Sequence, residues 1–434
     1  MLCDDFFKME LECELFNLKD DRVDQFWDVV RREVYMEYYH RGHAAGNSHK
    51  NEVKSYRLVR LISTILRDLS YYISKLGVRS LVISNTRYVD AMGLQFDKAS
   101  DNIISALGND AFIMNQRTQG IKYKYRFTSG ILLGYFINKY KRYSANECNK
   151  NRIHESLIKY LGEDLLPKGL IDNAYRGFLA KRAYFDFLFT VKRFKKVFFV
   201  QNGNLKGMVA AAKKHHVKTI EIQHGSFEVS HPAYSYPSGI SYNDSRILMP
   251  DYMATFGPYW GHNFNLPVKK IIALGNDCYY QSPKREVPHG HIVIISSSVH
   301  ANYLIPFTLQ LASKYKDIKI YYKLHSGERI GNVVFKDCRN VEVITEQYNA
   351  TELIFKAVLV VAVNSTVLYE ALNFNRKIAI LKVLDYEGQR SLFDMPNVFL
   401  VDTVDDIEDA LAAQTITVPT YFFAPFNEEV FKTV

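Results

Sequence analysis

Along this chain, short apolar runs that end on a polar residue or a glycine alternate with longer segments of helical spacing. The first 75 or so residues differ: patterns such as "VRLISTILRDLSYYISKLG" (59–77) repeat apolar positions every three to four residues and predict helices without strands. Then "RSLVISN" (79–85), "KVFFVQN" (196–202), "VKTIEIQ" (217–223), "DYMATFG" (251–257) and "KKIIALG" (269–275) read as buried strands. Helix-like stretches such as "LKGMVAAAKKHH" (205–216) lie between several of them. A second series comprises "HIVIISS" (291–297), "IKIYYKL" (318–324), "VEVIT" (341–345), "VLVVAV" (358–363), "KIAILK" (377–382) and "VFLVD" (398–402). Strands alternating with helices imply parallel βαβ units. "GNDCYYQSPKREVPHG" (275–290), with two prolines and no periodicity, predicts an interdomain linker. The expected fold class is therefore α/β: two Rossmann-like domains facing a cleft, with a helical N-terminal region. Residues 1–275 form the first unit and 276–434 the second.

Composition changes this picture little, but it limits the function classes. A hydrophobic content of 47% with 23% charged residues is that of a folded chain, not a disordered one. No apolar run approaches the roughly 18–20 residues needed to cross a bilayer. The opening "MLCDDFFKME" has acids where a signal peptide carries positive charge, so a cytoplasmic location is expected. Cys3, Cys13, Cys148, Cys278 and Cys338 are scattered without CxxC spacing and read as reduced thiols. The net charge of +9 gathers with aromatic residues at 120–143 and 178–196, read as two amphipathic helices. Solvated lysines account for those faces, and so does peripheral contact with the inner membrane surface, where Lys and Arg snorkel and Tyr sits at the interface. No nucleic-acid-binding motif accompanies the charge, so nucleic acid is not an expected partner.

In open parallel sheets, ligands bind beyond the carboxyl ends of the strands. That rule selects Asn85, Asn202 and His224 from the first half, and Ser296 to Ser298, His325 and Asn364 to Thr366 from the second. "VLVVAVNSTVLYEALNF" (358–374) is a strand, then Asn-Ser-Thr, then a helix whose first-turn amides form an anion site capped by Asn364 or Ser365. Glu370, about one turn further in, is placed to accept hydrogen bonds from ribose hydroxyls. "YYKLHSGE" (321–328) sets Lys323 and His325 on one side of a strand end, suited to a phosphate leaving group. His224 precedes Gly225, which permits a sharp exit, and its imidazole suits a general base. "SNTRYVDAMGLQFD" (84–97) adds Arg87, Asp90 and Asp97, the two carboxylates being competing candidates for that base. His231 opens "HPAYSYP", whose Tyr234 and Tyr236 are expected to form a stiff aromatic wall for an acceptor sugar. DxD, HExxH, GxSxG, Walker and GxGxxG motifs are absent, which favours metal-independent transfer and no bound cofactor.

Together, "EIQHGSFEVSHPAYSYP", "FGPYW", "LGNDCYY", "YYKLHSGE" and "NSTVLYEAL" resemble bacterial glycosyltransferases of the GT-B fold that build capsule and lipopolysaccharide, including sialyltransferase-like and Kdo-transferase-like families. The resemblance covers roughly residues 79–400, in matching order. It implies a nucleotide-sugar donor held mainly by the second domain (Lys323, His325, Ser298, Ser365, Thr366, Glu370). It also implies a glycan or lipid-linked glycan acceptor held by the first (Arg87, Gly225, His231, Tyr234, Tyr236). Those families often have His-Pro where this chain has His325-Ser326, a departure at the donor phosphate. Two other classes stay open at this point: a CDP-polyol phosphotransferase of wall-polymer synthesis, and a non-catalytic glycan- or nucleotide-binding module.

Overall fold

The computed structural model describes residues 2–39, 58–86, 88–89, 92–115, 122–229, 231, 233–280, 287–325, 328, 334–345, 347–417 and 421–434. Helices Leu2–Glu12, Phe26–Tyr39 and Leu58–Ser74 precede the first strand. The chain then forms β1 (Ser80–Ser84), a small antiparallel pair β2 (Tyr88–Val89) and β3 (Gln95–Phe96), β4 (Ala111–Asn115), β5 (Lys196–Phe199), β6 (Lys218–Ile222), β7 (Tyr252–Thr255) and β8 (Lys270–Ala273). Past residue 290 come β9 (His291–Ile295), β10 (Ile320–Lys323), β11 (Val341–Ile344), β12 (Ala357–Ala362), β13 (Lys377–Leu381) and β14 (Val398–Val401).

Among the described residues these make two parallel six-stranded sheets, ordered β4-β1-β5-β6-β7-β8 and β11-β10-β9-β12-β13-β14. Central strands such as β1, β9 and β13 are buried at every position. That is why they read as unbroken apolar runs: a parallel sheet has helices on both faces. The second order is the doubly wound one, in which the chain runs outward from β9 to one edge and then returns to start again at β12. Two Rossmann-like domains of the GT-B arrangement result.

The N-terminal helices are clamped to each other and to the first sheet by buried charge. Arg31 pairs with Glu10, which also accepts from Trp27 Nε1 at 2.7 Å. Lys206 donates to Asp28 at 2.9 Å and so ties the second helix to the Asn202–Lys214 helix beside β5.

Three expectations change. The strand β4 was not read from the sequence, although "AFIMN" is fully buried. Among the described residues of the 120–143 stretch, only Leu132–Tyr140 is helical. Tyr123, Tyr125 and Phe127 alternate instead, a period of two, and pack on the opposite face of the first sheet. The segment 421–434 does not stay with the second domain. Ala424 and Asn427 bond the backbone at Phe256 and Leu274, and Phe431 packs on Phe198. Gly275, at φ +77, is required there, because a Cβ would stand 2.0 Å from the Pro425 carbonyl oxygen.

Candidate active site

A parallel sheet opens a crevice where neighbouring strands lead their connections to opposite faces. In the second sheet that point lies between β9 and β12. Beyond β9, Ser296 is buried against Tyr322 and Glu328, Ser297 Oγ meets His300 Nδ1 at 2.8 Å, and Ser298 is exposed. Beyond β12, Ser365 caps the Thr366–Asn373 helix and accepts from the Val367 amide at 3.2 Å. Asn364 Nδ2 donates to Asp385 Oδ2 at 2.9 Å while its oxygen accepts from Gln389, and His300 Nε2 lies 3.8 Å from the same Asp385 oxygen. The floor of the crevice is thus polar and held by its own hydrogen bonds.

The matching point in the first sheet lies between β1 and β5. A small crevice there is lined by Asn85, Asp97, Gln201, His224 and the rings of Tyr88 and Tyr279. Gln201 adopts φ 65 and ψ 64, a left-handed conformation that few residues other than glycine occupy. His224 and Asp97 therefore share one crevice, but their surroundings differ. Asp97 Oδ2 accepts from the Asn85 amide at 3.0 Å and Ser100 Oγ at 3.0 Å, and Oδ1 from the Ala99 amide at 3.1 Å. It knits the chain beyond β1 to the turn that starts the Asp101–Leu107 helix. Arg87 and Asp90 lie outside the described residues.

The loop that leaves β6 crosses the cleft. Gln223 holds its base, accepting from the Phe256 amide at 2.8 Å and donating to the Gly225 carbonyl at 3.0 Å. A Cβ on Gly225 would sit 3.4 Å from Thr366 Oγ1, in ordinary contact with the second domain, so the loop passes directly against that helix start. The Ser226 amide donates to Thr366 Oγ1 at 2.8 Å. Glu228 accepts from Tyr369 and, at 2.8 Å, from Ser391 Oγ, both in the second domain.

Further along the loop the expectations fare differently. His231 accepts from the Ala233 amide at 3.3 Å, and burial, with His224 and Arg32 nearby, pushes it down to about 3. Such an imidazole stays neutral at ordinary pH and is a weak base. Tyr234 and Tyr236 do not form a wall facing the cleft. Both are buried, Tyr234 donating to Glu221 at 2.7 Å and Tyr236 to Asp28 at 2.6 Å. A phenol inside a domain needs a partner, and these two carboxylates supply it.

On the donor side, His325 is exposed at the end of β10, its amide bonded to Glu328 Oε2 at 3.1 Å. Lys323 leans the other way, its ammonium donating to the Thr345 carbonyl beyond the outer strand β11. β10 stands one strand beyond β9 from β12, and strands lie about 4.8 Å apart. The ends carrying His325 and Ser365 are thus separated by on the order of 10 Å. Glu370 is buried and accepts from Thr351 Oγ1 at 2.8 Å. Burial raises its pKa, opposed by Lys98 from the first domain, which reaches Thr351 Oγ1 at 3.5 Å.

Lys98, Ser226, Glu228, Tyr369 and Ser391 are the interdomain residues that sequence reasoning missed. Ser226, Glu228 and Tyr369 carried a signal, lying inside quoted motifs, whereas Lys98 and Ser391 did not. Among the described residues, no group of three or more His, Cys, Asp or Glu is placed to hold a metal ion.

No family model and no curated protein matches the sequence. Solved structures with a similar chain path include a UDP-GlcNAc 2-epimerase of Methanocaldococcus jannaschii in complex with UDP-GlcNAc and UDP, at 13% identity and a TM-score of 0.48, covering 82% of this chain and 98% of that one. The S. aureus MnaA-UDP co-structure is similar at 11% identity and 0.47, covering 81% and 94%. The calicheamicin glycosyltransferase CalG4 is similar at 10% and 0.47, covering 79% and 91%. Likenesses this remote decide nothing about the reaction.

Proposed function

We propose that this chain is a metal-independent glycosyltransferase. It moves a sugar from a nucleotide-sugar donor to a hydroxyl of a bacterial surface polysaccharide or glycolipid. The observation that supports this most directly is the contact between the Ser226 amide and Thr366 Oγ1. It brings the loop carrying His224 to the N-terminus of the Thr366–Asn373 helix, so a candidate base and a candidate anion site flank one gap.

In this reading the donor phosphate lies at the first-turn amides with Ser365 and Thr366, with His325 and Ser298 at the rim and Glu370 toward the ribose. His224 takes the proton from the acceptor hydroxyl as its oxygen bonds the anomeric carbon. The bond from that carbon to the phosphate oxygen breaks, and the nucleotide leaves with the electron pair. Donors aimed at the departing phosphate favour the step, because charge grows there as the bond opens.

A thermal-shift panel of CMP, UDP, GDP and CDP tests the donor side, since only nucleotides bound by the folded state raise the melting temperature. Incubation with the stabilising nucleotide's sugars and acceptor glycans then tests transfer, with turnover expected to persist in EDTA. A phosphodiester in the product, or donor consumption that needs no acceptor, would overturn the proposal.

A further inference from the structure

Three helices on the β4 side of the first domain leave a broad apolar face uncovered. On the helix Leu58–Ser74 and the turn after it, Leu66, Leu69, Ile73 and Leu76 follow one stripe at spacings of three and four, each 54–67% exposed. The helix's other side is the one that packs: Tyr71 and Asp68 are buried, the Tyr71 hydroxyl accepting from the Ile113 amide on β4 and Asp68 accepting from Thr128. The outward stripe therefore has no part in the domain's own core.

The neighbouring helices continue it. Lys192, at the end of Leu170–Lys192, donates to the carbonyls of Tyr72 and Lys75 and fixes that helix against the stripe. Its Phe187 and Val191 are 48% and 57% exposed. Phe136 of Leu132–Tyr140 packs on Tyr184 and Phe187, and leaves Tyr135 66% exposed on the outside. The buried aromatics of Leu170–Lys192, by contrast, are core, so the face differs from the one the sequence pattern implied.

Charge decides what covers it. No Asp or Glu occurs between 122 and 146 or between 187 and 198, and the one acid between 65 and 79, Asp68, is buried. Exposed Lys139, Lys141, Arg142, Arg193 and Lys195 lie at the ends of the same helices. An apolar face rimmed mainly by cations, with Asp186 beside Phe187 already paired to Lys214 and His215, disfavours a second copy of itself and suits an anionic lipid surface. No helix among the described residues is long and apolar enough to span a bilayer, so the contact is one of lying on the surface.

We infer that this face seats the protein on anionic membrane. Gly130, where the Leu132–Tyr140 helix begins, adjoins Met114 near the carboxyl end of β4, the end that opens toward the cleft. The seat thus reaches from the outer flank toward the cleft mouth.

Co-sedimentation of the full chain with vesicles of phosphatidylcholine alone, or with one third phosphatidylglycerol, tests this without any turnover. Its failure is therefore distinct from failure of the transferase reading. Binding is expected at least tenfold stronger to the anionic vesicles and reduced by 0.5 M salt. Leu66→Ser/Leu69→Ser/Ile73→Ser should weaken it about tenfold or more. Lys139→Glu/Lys141→Glu/Arg142→Glu should weaken it on the order of a hundredfold, each cation near such a surface contributing about fivefold. Both variants alter exposed positions and are expected to keep the parent melting temperature. Equal binding to both vesicles, or none, overturns the inference. So does a parent dimer that the serine variant converts to monomer in sedimentation velocity while vesicle binding persists, which would assign the face to a second copy.

Discussion

The hydroxyl of Tyr369, on a helix of the second domain, donates to Glu228 on the loop that leaves the first sheet after β6. Ser391 donates to the same oxygen, and burial raises this carboxyl above its ordinary range. Two donors from one domain thus converge on a desolvated acceptor of the other. Tyr369→Phe would leave Glu228 with the serine alone, at a cost of about 1–3 kcal/mol. The melting temperature should fall and the radius of gyration from small-angle scattering should rise as the cleft opens. If both stay at the parent values, this contact does not hold the domains together.

His224 and Asp97 line one crevice, yet their substitutions should separate. His224→Ala is expected to reduce turnover by about 10²–10⁴-fold, the usual contribution of a general base, with nucleotide affinity nearly unchanged. Asp97→Asn loses acceptor strength toward two amides and a serine, so its first effect is on stability, about 1–3 kcal/mol. Steady-state kinetics beside thermal melts check this. Loss of turnover in Asp97→Asn at an unchanged melting temperature would move the base to the carboxylate.

Glu221, inside β6 and three residues before His224, has its pKa pushed up to about 7 by burial, against an ordinary 4.5. The folded state therefore holds a proton that the unfolded chain releases. The stability this contributes is complete below pH 4.5 and is lost as pH rises to about 7, at most about 3 kcal/mol. His231 works the other way, since its depressed imidazole favours folding above pH 6.5 and less so as pH falls toward 3. Glu221→Gln removes the first effect alone. The melting temperature of Glu221→Gln relative to parent should climb between pH 5 and 8; a flat difference would rule out titration of Glu221 in that range.

Arg31 and Glu10 are both buried, and the guanidinium also lies 4.4 Å from the Tyr236 ring centroid. Arg31→Ala strands the Glu10 carboxyl in the core and should cost about 3–5 kcal/mol. Arg31→Met with Glu10→Leu removes both charges and should recover most of that loss in urea denaturation. A double variant no more stable than the single one would show that packing around Tyr236, rather than charge pairing, is what Arg31 supplies.

The pattern of residues by itself determined most of the strand series and the two-domain class. A strand covered by helices on both faces must be apolar along its whole length, and such runs are conspicuous. It also placed His224 and Ser365 at strand ends, because a strand ends where its burial ends. It could not separate the alternation at Tyr123, Tyr125 and Phe127 from the helix that follows, since both are rich in aromatic and basic side chains. Only the tertiary structure decided which polar residues meet. Ser226 and Thr366 are 140 residues apart, and Glu228 and Ser391 are 163 apart. Nothing local in either partner records such a contact, because it depends on how two separately folded sheets turn their carboxyl ends toward each other. The same holds for Tyr234 and Tyr236. As letters they suit a sugar-binding wall, and the buried Glu221 and Asp28 that claim their hydroxyls are brought to them only by folding.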